Sequence, residues 1–188
     1  MTRQDIVNKG GGNGPGLPDF LNPCSHAKFS TCRTWRYTLH RVWEPNKVSA
    51  MFVGLNPSTA DEVNDDPTVR RCIRFAKAWG YGGLVMMNAF AFRATDPRVM
   101  KAATDPVGPD NDYWLLEMAK IQMQQGAVIV VAWGNHGVYQ NRHQTILILF
   151  WYAGVPLHCL GITKTGQPRH PLYVKADTRP RELQYVLA

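Results

Sequence analysis

Four short apolar runs, each ending in polar residues, constrain this chain more than any other feature. They are Ser49–Gly54 (SAMFVG), Leu84–Asn88 (LVMMN), Ala127–Trp133 (AVIVVAW) and Leu157–Ile162 (LHCLGI). Continuous apolar runs of this length, bounded by turn residues, read as strands buried on both faces. Trp35–Val42 (WRYTLHRV) is rich in aromatic and β-branched residues and reads as another strand. Helical segments fall between them. Asp66 and Pro67 form an N-cap and first-turn pair, and Val69, Cys72, Ile73, Ala76 and Trp79 then recur at helical spacing as a core stripe. Gly80 and Gly82 stop that helix. A second helix, capped by Asp110, runs to about Gln125, and a third covers roughly Val138–Ala153 after a turn at Gly134–Gly137. Thr95–Pro109 reads as a long loop with one turn, and a last helix is expected from Arg181. Strands alternating with helices imply βαβ units. The expected fold is therefore α/β: three layers, with a mostly parallel central sheet and helices on both faces.

At 188 residues, 45% of them hydrophobic, the chain has the size and apolar content of one domain. That domain is expected over 21–188. Residues 1–20 contain GGGNGPG (Gly10–Gly16), bury too little to offset their ordering entropy, and are expected to form a flexible arm. A net charge of +7 and a pI of about 9.4 point toward a polyanionic partner. No apolar run approaches the roughly 18 residues that a membrane helix needs, and no signal segment opens the chain, so the expected setting is cytoplasmic, away from the membrane. Cys24, His26 and Cys32 are the one cluster to weigh as a metal site. Their spacing, C-x-H-x5-C, is not a standard zinc pattern, and no CxxC pair exists. No metal and no cofactor are expected.

In a fold of this kind, ligands bind at the carboxyl ends of the strands. Polar groups stand there in every case: Gly54-Leu55-Asn56-Pro57-Ser58 after the first run, Asn88 at the end of the second, Gly134-Asn135-His136 after the third, and Arg169-His170-Pro171-Leu172 after the last. The order of these motifs resembles the uracil-DNA glycosylase superfamily. Gly54–Pro57 (GLNP) is similar to that superfamily's first motif, MMN at 86–88 to its base-reading asparagine, VVAWG at 130–134 to its later apolar strand, and HPL at 170–172 to its His-Pro loop. The resemblance covers about residues 48–175. The chain also resembles an uncharacterised bacterial and phage family marked by NPSTAD (Asn56–Asp61), DPT (Asp66–Thr68), WGNHG (Trp133–Gly137) and a His-Pro-Leu ending.

The superfamily resemblance implies a glycosylase-like fold and hydrolysis of the N-glycosidic bond of a flipped, modified or deaminated base in DNA, single- or double-stranded. His170 would donate to a base carbonyl as negative charge builds on it. Asn56 would orient the attacking water, since an amide is too weak a base to deprotonate it. Gly54, Leu55 and Pro57 would shape the base pocket, Asn88 would read the base edge, and Phe90 or Phe92 would stack on it. Ser58, Arg93, His136, Arg142 and Arg169 are candidate nucleic-acid contacts, the arginines through their forked geometry. Leu172 or Tyr173 is the candidate wedge. The chain departs from the superfamily in two places. Ser-Pro does not follow His170-Pro171, and Asp61, Glu62, Asp65 and Asp66 make an acidic loop beside the expected phosphate path. That loop, 61–66, is a candidate contact for a protein partner, a sugar or an amine-bearing base. The same residues leave open a non-catalytic module that binds nucleic acid or a modified base, an enzyme of free nucleotides, and a protein-interaction domain.

Overall fold

The computed structural model describes residues 25–184. The expected arm at 1–20 and Cys24 lie outside them. A seven-stranded sheet runs in the order β1-β2-β4-β3-β5-β6-β7. Its strands are β1 (His26–Phe29), β2 (Arg36–Val42), β3 (Ser49–Gly54), β4 (Gly83–Asn88), β5 (Ile129–Val131), β6 (His158–Cys159) and β7 (Arg181–Glu182). The helices are α1 (Pro67–Ala78), α2 (Pro97–Ala102), α3 (Asn111–Gln124) and α4 (Arg142–Tyr152).

The three-layer expectation is met on both faces. Along β3 the side chains alternate, as a period of two requires. Met51 and Val53 join a cluster with Trp114, Leu115 and Met118 of α3 and Ile146, Leu147 and Phe150 of α4. Ala50 and Phe52 point the other way, toward Val69, Cys72, Phe75 and Ala76 of α1. Burying each of the larger side chains stabilises the fold by about 1.5–3 kcal/mol. The cap of α1 is the one its sequence predicts: the Val69 N–H donates to Asp66 Oδ1 at 2.8 Å, with Pro67 in the first turn. Trp79 closes the helix over the core, its ring stacked at 5.6 Å from Phe52 and 5.4 Å from Phe75.

The sheet is mixed rather than mostly parallel. β4, β3, β5 and β6 pair parallel. β1 pairs antiparallel with β2, β2 with β4, and β6 with β7. The reason is connection chemistry. A parallel pair needs a crossover, usually a helix. α1 links β3 to β4, α3 lies between β4 and β5, and α4 lies between β5 and β6, whereas no α-helix separates β1 from β2 or β6 from β7.

Other boundaries shift. β1 occupies a segment with no strand expectation. Arg181–Glu182 forms the edge strand β7, paired with His158–Cys159, where a helix was expected. α2 takes up part of the 95–109 loop, with Asp96 accepting from the Arg98 N–H at 2.8 Å and Pro97 in its first turn. Asp110 precedes α3 but makes no side-chain cap bond. α4 begins only at Arg142, because residues 135–141 form a 3-10 helix that breaks at Gln140 and Asn141 (φ 52° and 53°). Gly137 of that segment lies against the Trp133 ring, and a Cβ there would stand 2.2 Å from Trp133 Cδ1. Among the described residues, no helix is long and apolar enough to cross a membrane.

Candidate functional site

Because β3, β4, β5 and β6 run parallel, their carboxyl ends share one side of the molecule. The segments that follow them line a pocket of about 750 Å³, within the size range of small-molecule sites. Leu55, Asn56 and Ser58 enter it after β3, and Asp66, Pro67 and Thr68 at the start of α1. Ala94, Thr95 and Pro97 come from the stretch after β4, and Trp133–His136 from the stretch after β5. Thr163, Lys164, Arg169, His170, Leu172 and Tyr173 close it from the stretch after β6.

Asn56 and His170 have their orientation set by backbone partners. Asn56 Nδ2 donates to the carbonyls of Ala94 at 2.7 Å and Pro57 at 3.0 Å. Both amide hydrogens are thereby occupied, and Oδ1 is left as an acceptor for a ligand or water. His170 Nδ1 accepts from the Leu172 N–H at 3.4 Å, which puts the proton of a neutral ring on Nε2. Burial pushes the His170 pKa below the usual histidine range, and the charge of Asp66 opposes that shift. The ring is thus a neutral donor. Further bonds lock the loops together. Ser58 Oγ donates to Thr95 Oγ1 at 3.2 Å, the Gly134 N–H donates to the Pro168 carbonyl at 2.9 Å, and Trp133 Nε1 donates to Gln167 Oε1 at 3.1 Å.

The pocket therefore brings together Asn56, His170, Leu55, Ser58, His136, Arg169, Leu172 and Tyr173 of the residues expected from sequence. The others lie elsewhere. Asn88 is 2% exposed, and its Oδ1 accepts from Arg36 Nη2 at 2.9 Å. Phe90 is buried against Tyr139, and Phe92 packs on the core with its backbone bridged to Trp35. Neither is in the pocket wall, whose aromatic side chains are Trp133 and Tyr173. Arg142 is buried, donating to the Ala89 carbonyl and to Asp112, so it is a packing residue and not a phosphate contact. Arg93 lies over the Phe29 ring at 4.9 Å, outside the pocket. Gly54 serves the sheet: a Cβ there would meet Met86 Cε at 2.7 Å. Pro57 contributes only its carbonyl, which accepts from Asn56 and from the Ala94 N–H.

The acids of the 61–66 loop are paired mainly by arginines of the β1–β2 region. Arg33 grips Glu62 with both terminal nitrogens, at 2.8 and 2.9 Å. Arg41 Nε donates to Asp65 at 2.9 Å. Asp61 accepts from the backbone N–H groups of Asn64 and Val63, which hold its carboxyl down at about 2. Asp66 caps α1. Beneath the loop lies Arg36, buried and without a carboxylate in contact, donating to Ala60 O at 3.1 Å as well as to Asn88. Burial lowers its pKa to about 10, against the opposing charge of Asp66.

Sequence reasoning missed Asp66, Thr68, Thr163 and Lys164 as pocket residues. Asp66 was legible as a helix cap and as one of four acids in the 61–66 loop, a candidate contact for a sugar, an amine-bearing base or a protein partner, but not as the one acid of that loop in the pocket wall. Of the Cys24, His26 and Cys32 cluster, Cys24 lies outside the described residues. The His26 ring stacks on His40 at 4.2 Å, and Cys32 Sγ sits 3.3 Å from Ser30 Oγ. Among the described residues, no group of three or more His, Cys, Asp or Glu side chains could hold a metal ion.

Fold and site together define a three-layer α/β protein with a pocket of mixed polar and apolar lining at the ends of its parallel strands. The chain belongs to the family described as protein of unknown function (DUF1643), whose model matches residues 36–172, a span that includes Asn56, Asp66 and His170. No curated protein and no solved structure matches it.

Proposed function

We propose that the pocket receives a flipped, modified or deaminated base of DNA and that the protein hydrolyses its N-glycosidic bond, as its sequence resemblance to the uracil-DNA glycosylase superfamily implies. One observation carries this reading. Asn56 and His170 line the same pocket, with Oδ1 of one left as an acceptor and Nε2–H of the other as a donor. Bond cleavage at a nucleoside needs such a pair: an acceptor to orient water and a donor for the charge on the departing base. A preorganised donor of this kind is worth about 2.7–4 kcal/mol, or roughly a hundredfold to a thousandfold in rate. Arg169, Lys164 and His136 give the pocket a basic rim suited to a phosphate backbone.

The test is base excision from labelled single- and double-stranded oligonucleotides carrying uracil, mismatched thymine, hypoxanthine or modified pyrimidines, with abasic sites revealed by alkali. Wild-type protein releases a base, and Asn56→Ala and His170→Ala each lower the rate at least about a hundredfold. Full activity in both variants sinks the site assignment. A second reading draws on Asn88. Tied to Arg36, it is not in the pocket wall to read a base edge, which favours a module that binds a base or nucleotide without cutting it. Salt-dependent binding with no base release from any oligonucleotide selects that reading.

A further inference from the structure

Asp66 is the sole carboxylate lining the pocket among the described residues. The residue is 6% exposed, and only one of its oxygens is used: Oδ1 accepts from the Val69 N–H, while Oδ2 has no hydrogen-bond donor among the described residues. The neighbouring carboxylates Glu62 and Asp65 are paired to Arg33 and Arg41, and Asp61 is bound within its own turn. Capping α1 accounts for one oxygen of Asp66 and leaves the other for whatever occupies the pocket. Asn56, the only other acceptor identified for the reaction, is an amide and cannot take a proton.

We propose that Asp66 is a catalytic residue of the pocket, facing the sugar as positive charge develops there. The inference rests on the nucleic-acid reading given above. In the reaction the C1′–N bond breaks, and its electron pair leaves with the base, whose oxygen accepts from His170 Nε2–H. The sugar carbon and ring oxygen are left cationic, opposite the Asp66 carboxylate. The oxygen of the water oriented by Asn56 then bonds to C1′. The surplus water proton passes to Asp66 Oδ2 and on to solvent, and the departing base takes a proton from solvent. The carboxylate thus supplies both the counter-charge and the proton acceptor that an amide lacks.

The test compares two abasic-site oligonucleotides, one carrying a cationic pyrrolidine in place of the sugar and one a neutral tetrahydrofuran. Wild-type protein should bind the cation roughly tenfold or more tightly, as expected of a charge-assisted contact in a part-buried site. Asp66→Asn, which keeps an oxygen for the Val69 N–H, should lose that preference while melting within a few degrees of wild type. Asp65→Asn, which alters a carboxylate outside the pocket, should retain it. Equal binding of the two oligonucleotides by the wild type overturns the role of Asp66 and leaves the nucleic-acid reading standing. A preference that survives in Asp66→Asn also overturns it. Binding of neither oligonucleotide overturns both.

Discussion

His40 shows how one side chain couples this fold to pH. It is buried on β2, and burial pushes its pKa down to about 3 from the ordinary 6.5, with the nearby His26 and Arg41 adding to the shift. Above pH 6.5 the ring is neutral in both folded and unfolded chains and contributes no pH dependence. Below it the unfolded chain takes up a proton that the folded chain refuses, so stability falls with pH by about 1.4 kcal/mol per unit until the folded pKa is reached. Urea unfolding between pH 7 and pH 4 should show this slope, and His40→Gln should flatten it by about one proton. An unchanged slope in the variant would show that His40 is not the titrating group. His170 obeys the same logic with a functional outcome. Its lowered pKa keeps it a neutral donor as the medium is acidified, so loss of activity on the acid side should set in below the usual histidine range.

Between elements, Arg36 does the joining. Its guanidinium reaches from β2 to the Ala60 carbonyl in the loop before α1 and to Asn88 at the end of β4. Arg36→Ala would strand two buried acceptors, each costing about 1–3 kcal/mol, and should lower unfolding free energy by roughly 2–6 kcal/mol in a denaturant titration. A loss under 1 kcal/mol would mean that water replaces the guanidinium and that Arg36 is not holding the pocket-side loops. The arginines of the β1–β2 region play a related part. Arg33 and Arg41 pair with Glu62 and Asp65, so of a run of carboxylates that looked hostile to a phosphate backbone only one acid, Asp66, lines the pocket.

For the molecule as a whole, the net charge of +7 favours a polyanionic partner, and two of its cations stand in the pocket wall. Lys164 and Arg169 line the pocket and have no carboxylate partner among the described residues. If they meet phosphates, affinity for a single-stranded oligonucleotide should fall as salt rises. Replacing both by alanine should then reduce the slope of log K against log salt by roughly 0.7 for each phosphate no longer neutralised. A slope that does not change would put the phosphate path elsewhere on the surface. Arg142 and Arg93, which sequence alone ranked equally with Arg169, should leave that slope untouched.

Sequence by itself determined the layers and the location of the pocket. Apolar runs such as SAMFVG and AVIVVAW must be covered on both faces, and helices between them force parallel neighbours whose ends converge on Asn56 and His170. It could not determine the edges, because the antiparallel strands β1 and β7 are only four and two residues long and carry little apolar signal of their own. Nor could it sort the polar residues. Asn88 and Asn56 both stand at a strand end, yet one faces Arg36 inside the molecule and the other faces the pocket. Asp66 and Asp65 are adjacent, yet one is in the pocket and the other pairs with Arg41. Only tertiary structure made those assignments. The direction of a side chain at a strand end depends on which neighbour satisfies its hydrogen bonds, and those neighbours come from elements that local sequence does not see.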